Sequence, residues 1–215
     1  MGTDHDGLRG DVARLFSPLG THGGKPSLGL ALERFLTRPG PQALVLYRLS
    51  HRLWQWRLEA VAELIWRLNY LLTGADIHPG AEIGGGLRLT HTAGLVVGKG
   101  AKIGRNVTLL HGVTLGGSSR GFFEPSAPDG FPEIGDDCKV AAGAKLLGPI
   151  KVGRGSFIGA NAVVSRDVPA DTVYVPGRDI SMLRRRIEAL EAEIAGLREA
   201  VAHIEPPEVP RNGGG

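Results

Sequence analysis

From Ile77 onward the chain returns to an aliphatic residue every six positions. The series runs Ile77, Ile83 and Leu89, then, after a slip of two, Val97, Ile103, Leu109 and Leu115; it resumes at Ile134, Val140, Leu146, Val152, Ile158 and Val164. Four residues after most of these comes a second, small position, as at Ala81, Ala93, Ala101, Val107, Val113, Cys138, Ala144, Ser156 and Ala162. So short an internal repeat predicts a solenoid. Three hexads close one triangular coil of a parallel β-helix, with the aliphatic residue pointing inward. Gly or Asn follows closely at Gly104, Asn106, Gly135, Gly153, Gly155 and Asn161. Corners demand backbone angles that branched side chains resist, so these residues suit them. The interruption "GGSSRGFFEPSAPDGFPE" predicts a loop extruded from a corner over 117–133, and its paired phenylalanines imply that it docks on something.

Other periods flank the hexads. In "PQALVLYRLSHRLWQWRLEAVAELIWRLNYLLTG", Leu46, Leu49, Leu53 and Trp56, then Val61, Leu64, Ile65, Leu68 and Leu72, fall at steps of three and four. That spacing predicts helix, with Gly74 as the stop. Upstream, "LFSPLGTHGGKPS" predicts a turn-rich break after a short helix. Beyond Gly177, Ile180, Leu183, Ile187, Leu190, Ile194, Leu197 and Val201 trace a coiled-coil seam with Glu and Arg between them. Ile or Val at one core position and Leu at the other favours two strands. The organisation expected is an α-helical N-terminal domain over 1–74 and a β-helix over 75–177. A coiled-coil helix over 178–203 and a disordered tail over 204–215 follow.

Composition changes the picture little. The chain has 215 residues, 42% hydrophobic and 22% charged, as expected of a soluble protein of one or two domains. Its 33 glycines are about twice the usual share, and their interleaving with Ile, Val and Leu marks an ordered fold with many corners. A net charge of +3 gives no reason to invoke nucleic acid, although it suits an anionic ligand. The run Arg184–Arg186 reads as a solvated coiled-coil face. The single cysteine, Cys138, excludes an intramolecular disulfide and fits a reducing compartment; at an inward small position it reads as core. Met1–Gly10 holds acidic residues and no apolar core, so no secretory leader is expected. The apolar region 42–73 carries Arg48, His51, Arg52, Arg57, Glu59, Glu63 and Arg67, so no membrane span is expected either. A soluble, cytoplasmic protein is the expectation.

The segments "TGADIHPGAEIG", "THTAGLVVG", "HGVTLGG" and "AAGAKLLGPIKVGRGSFIGANAVV" resemble the serine acetyltransferases, hexapeptide-repeat acyltransferases with a left-handed β-helix. The likeness covers roughly residues 40–177. It implies an acetyl-CoA-dependent O-acetyltransferase without a metal, in which Asp76 and His91, fifteen residues apart, form a catalytic dyad. A neutral imidazole suits removal of a proton from a hydroxyl near pH 7, and a carboxylate on its other nitrogen would fix the tautomer. His111, one coil and the slip beyond His91, is expected beside it, as structure or in the acceptor pocket; His78 is expected to shape a corner. The family binds coenzyme A between neighbouring β-helices of a trimer. The residues matching that groove are Gly117, Ala142, Gly143 and Ala160, with Arg166 placed for a coenzyme A phosphate.

The chain departs from the family where the amino acid is gripped. Thr90 stands for an aspartate, Gly130 and Phe131 for an arginine–histidine pair, Lys99 for a glutamate, and Ser17 for a further aspartate. A zwitterion needs charged partners in a dry pocket. Arg120 in the loop is a candidate substitute. The expectation is therefore a small hydroxyl acceptor other than free serine, in a pocket that includes Thr90, His111 and Phe131. The alternatives are a serine O-acetyltransferase of cysteine biosynthesis or, in another class, a non-catalytic scaffold or a β-helix metal enzyme like carbonic anhydrase. The last needs two histidines about five apart, and the solenoid has none. A homotrimer or hexamer is expected. The family tail ends in isoleucine that docks into cysteine synthase; this chain ends in Gly215, so no such complex is expected by that route.

Overall fold

The computed structural model describes residues 7, 10, 11, 28–117, 130–176 and 180–202. Ser17, Arg120, Phe122, Phe123, the upstream break, most of the loop 117–133 and the tail 204–215 lie outside the described residues.

After the helical residues 7, 10 and 11, three helices lead to the hexads: α1 (Leu28–Thr37), α2 (Pro39–Gln55) and α3 (Glu59–Thr73). Pro39 divides the first two. It starts α2 while holding Arg38 in extended geometry (φ −118°, ψ 127°), as the residue before a proline prefers. Gly74 closes α3 in the left-handed region (φ 72°), as expected of the stop. The leucine stripe of these helices does not form the core. Leu49, Trp56, Val61, Leu64, Leu68 and Leu72 are exposed, and the inward face is made by Ala43, Leu44, Tyr47, Arg48, Ala62 and Asn69. Apolar spacing identified the helices but not the side they bury, because tight approach to the solenoid selected small and hydrogen-bonding residues.

The hexads form a parallel β-helix. Its strands are β1 (Ala75–Ile77), β2 (Glu82–Ile83), β3 (Arg88–Leu89), β4 (Leu95–Val97), β5 (Lys102–Ile103), β6 (Thr108–Leu109) and β7 (Thr114–Gly116). After the loop come β8 (Glu133–Ile134), β9 (Lys139–Val140), β10 (Lys145–Leu147), β11 (Lys151–Val152), β12 (Phe157–Ile158), β13 (Val163–Val164) and β14 (Val173–Tyr174). Up to β13 every third strand joins one of three sheets, and β14 closes the third: β1-β4-β7-β10-β13, β2-β5-β8-β11 and β3-β6-β9-β12-β14, with Val168 adding a single bridge to Val152 of β11. The aliphatic series stacks in register, Ile77 on Val97 on Leu115 on Leu146 on Val164 along the first sheet. All are buried, together with the small inward positions from Ala81 to Ala162 except Ala93. Ala93 is exposed because the two-residue slip falls on its corner. Cys138 lies inward as expected; its thiol donates to Gly153 O (3.1 Å), and burial pushes its pKa up.

A solenoid's first coil leaves backbone groups with no neighbour to bond. Here α2 supplies the partners. His51 Nδ1–H donates to Pro79 O (2.7 Å), Tyr47 OH to Ala81 O (2.7 Å), Arg48 Nη1 to Ile83 O (2.5 Å) and Arg48 Nη2 to Gly84 O (2.7 Å). Asp11 completes the row by accepting from Gly86 N (2.8 Å) and Leu87 N (3.1 Å) through one oxygen and from Arg48 Nε (2.9 Å) through the other. Arg48 and Asp11 are each 7% exposed, so the guanidinium and carboxylate neutralise one another where water does not reach.

A separate unit beyond Pro176 holds one helix, α4 (Ile180–Ala202). No helix among the described residues is long and apolar enough to cross a membrane.

Candidate active site

His91 lies on the corner between β3 and β4, and His111 on the corresponding corner of the next coil, between β6 and β7. Their rings meet edge to face, centroids 5.9 Å apart and planes at 72°, both side chains exposed. The corner continues downward through Ala142 and Gly143, between β9 and β10, and Ala160, between β12 and β13. Backbone bonds tie the levels together: Gly112 N to Ala93 O (2.9 Å), Gly143 N to His111 O (2.9 Å) and Asn161 N to Ala142 O (2.8 Å). Gly112 (φ 66°) and Gly143 (φ 73°) take left-handed geometry, and a Cβ on Gly143 would collide with the Asn161 side-chain amide. The result is a narrow edge with two imidazoles at one end and glycine and alanine below, the Asn161 amide lying over Gly143. Five of the predicted residues, His91, His111, Ala142, Gly143 and Ala160, share this edge.

Thr90 adjoins His91, exposed, with its backbone N–H on Leu109 O (3.2 Å). Lys145 in β10 was not singled out by sequence. Its ammonium donates to Gly112 O (2.6 Å) and Thr114 Oγ1 (3.0 Å), bracing the His111 corner from the first sheet.

Asp76 sits in β1, one coil above, opposite Val96. Its Oδ1 accepts a hydrogen bond from Trp66 Nε1 of α3 (2.8 Å), and among the described residues no hydrogen bond joins Asp76 to His91. Sequence reasoning missed Trp66, since a contact made by docking a helix leaves no mark in either local period. Trp66 also packs on His78 (centroids 4.8 Å apart), which Trp54 meets from another side (5.3 Å). His78 Nδ1 accepts from Gly80 N (2.9 Å), so the ring proton lies on Nε2. Burial, then the charge of Lys99, holds the His78 pKa below its ordinary value. His78 thus shapes the corner after β1.

The remaining predicted residues stand on a different corner, between the first and second sheets. Gly117 follows β7, Arg166 follows β13, and Phe131 precedes β8. The Phe131 ring fills a niche over Gly98, Gly100 and Gly117; a Cβ on Gly98 or Gly100 would overlap it. Within one chain, therefore, Phe131 is a packed residue of its own corner and does not line the edge that carries His91. Arg166 is exposed.

Comparison with known proteins agrees with the fold and extends it. The bacterial transferase hexapeptide (six repeats) model matches residues 131–166. The chain is 38% identical over 208 residues to the serine acetyltransferase of Mycobacterium tuberculosis, covering 85% of this chain and 88% of that protein. It is 39% identical over 197 residues to that of Synechococcus elongatus, covering 80% and 79%. Among solved structures, Neisseria gonorrhoeae serine acetyltransferase in complex with serine superposes with a TM-score of 0.68 at 32% identity, over 81% of this chain and 68% of the other. The Brucella abortus serine acetyltransferase in complex with coenzyme A gives 0.68 at 36%, over 81% and 66%. With the helices preceding the solenoid included in likeness of this extent, the chain belongs to the serine acetyltransferase family.

Proposed function

We propose that the protein is a serine O-acetyltransferase, moving the acetyl group of acetyl-CoA to the hydroxyl of L-serine and releasing coenzyme A. The observation that carries this reading is the edge on which His91 stands above the Gly112–Gly143 backbone. A slender pantetheine arm can lie along an edge built of glycine and alanine, where only the Asn161 amide stands over Gly143, which brings a thioester toward the imidazole. A ring nitrogen of His91 takes the serine hydroxyl proton as the oxygen attacks the thioester carbonyl. When the adduct collapses the C–S bond breaks, and the sulfur leaves with the proton returned from the imidazolium. Asp76, oriented by Trp66, supplies a negative charge that favours the imidazolium during the transfer.

Serine replaces the acceptor expected from sequence. That expectation came from Thr90, Gly130 and Phe131, but Phe131 packs on its own glycine niche, apart from the His91 edge of the same chain. Its change of charge therefore bears on the wall that a neighbouring copy would present, not on the edge beside His91 in the same chain. Relatives named serine acetyltransferase align across most of the chain, one of them solved with serine, which favours serine as acceptor. The division of predicted residues between two corners suits a site with two walls, His91, Ala142, Gly143 and Ala160 from one copy and Gly117, Phe131 and Arg166 from its neighbour. A homotrimer provides that arrangement.

The test is thiol release from acetyl-CoA with L-serine, amino alcohols and sugars compared side by side. Serine as the best acceptor supports the proposal. Faster turnover of another hydroxyl compound, or no release with any, overturns it.

A further inference from the structure

The helix α4 carries an apolar stripe that nothing among the described residues covers. Ile187, Leu190, Ile194 and Leu197 are 51%, 41%, 49% and 60% exposed. A lone helix of 23 residues with Gly196 in its interior is marginal in water, so the stripe calls for an opposing one. The sequence indicates which. In heptad terms Glu193 precedes the core position Ile194, and Arg198 follows the core position Leu197. In a parallel pair these are the flanking positions that meet across the seam, five residues apart, and here their charges are opposite. The sequence repeats the relation one heptad earlier, where Arg186 precedes Glu191 by five.

Direction follows from the ends of the seam. Ile180 and Val201 fall on the same heptad position, so parallel strands in register can pair all the core layers with themselves. Antiparallel strands set each core position against the other type and leave one end uncovered. In the antiparallel register centred on the exposed stripe, Glu191 would face Glu191 and Glu193 would face Glu193. A membrane surface is a poorer alternative, because an interfacial helix flanks its apolar face with cations alone, and here Glu191 and Glu193 alternate with Arg186 and Arg198 along it, as complementary partners across a seam would.

We propose that α4 is one strand of a parallel, in-register coiled coil between copies of this chain, with Glu193 of each strand meeting Arg198 of the next. The assembly does not depend on the acetyl acceptor.

Disulfide trapping in the full chain tests it, since the single native thiol, Cys138, is buried and the unmodified protein serves as the control. Leu190→Cys, and separately Ile194→Cys, are expected to give cross-linked pairs on oxidation with diamide, because parallel strands bring each position against itself. Adding Glu193→Arg or Arg198→Glu to Leu190→Cys should lower the cross-linked yield several-fold, and both together should restore it. The proposal is overturned if neither cysteine cross-links. It is equally overturned if Leu190→Cys links only to Ile187→Cys or Ile194→Cys in mixtures, the antiparallel signature, or if the double charge exchange fails to restore the yield.

Discussion

Trp66 Nε1 lies 2.8 Å from Asp76 Oδ1, so a helix outside the solenoid holds the carboxylate that the family pairs with its histidine. One oxygen is committed to the indole and the other remains for a second partner. Trp66→Phe keeps the ring and removes the donor. Turnover should fall by about tenfold, in keeping with one hydrogen bond to a charged acceptor, while the KM for acetyl-CoA stays nearly constant. A fall in kcat no greater than twofold would show that the indole is packing alone.

On the proposed mechanism His91→Ala removes the base and should lower turnover by about 10²–10⁴-fold while coenzyme A still binds. Asp76→Asn should do less harm, since it changes charge and orientation but leaves the imidazole. Steady-state thiol release together with calorimetric titration of coenzyme A checks both, and wild-type turnover in His91→Ala would refute the assignment.

Arg48→Ala strands the Asp11 carboxylate in a site 7% exposed and uncovers two carbonyls of the first coil. Breaking a buried pair on one side costs about 3–5 kcal/mol. Chemical denaturation should show that loss, and Asp11→Ala combined with Arg48→Ala should cost less than the sum of the single changes.

His78 gives the fold a mild acid sensitivity. Its pKa in the folded protein is lowered, by burial first and Lys99 second, so the unfolded chain takes up the proton at higher pH than the folded one. Its contribution to stability is complete above the ordinary histidine value near 6.5 and declines as pH falls below it. The melting temperature should therefore drop between pH 7 and pH 5, and His78→Asn should flatten that slope. An unchanged slope would contradict the account.

Deleting residues 179–215 removes α4 and should leave particles of three chains, because in the proposed two-walled site both walls belong to the β-helix. Light scattering measures the mass directly; a hexamer that falls to trimers would show that α4 joins two particles.

The six-residue period made the solenoid legible down to register, since each coil repeats the same demand for an inward aliphatic residue and a sharp corner. Ile77, Val97 and Leu115 announce their own stacking. The edge shared by His91, His111 and Gly143 was readable for the same reason: positions one coil apart stand one above another. What the period could not carry was the helix-to-solenoid contact. Trp66 on Asp76 and Arg48 on Ile83 depend on how α2 and α3 dock, and the outward leucines point the wrong way for anyone assuming that apolar means inward. Phe131 shows a different limit. Its place in line with the family's charged pair was readable, but not its seat within its own chain, which lies over Gly98 and Gly100 of an earlier coil.

The row formed by His51, Tyr47, Arg48 and Asp11 has a consequence for solubility. A stack of parallel coils is a ready template for more of the same, and nothing in the hexad rule says where it should stop. By occupying the carbonyls of Pro79, Ala81, Ile83 and Gly84, α2 ends growth at that face, so one molecule cannot add onto another as the next rung of a fibril.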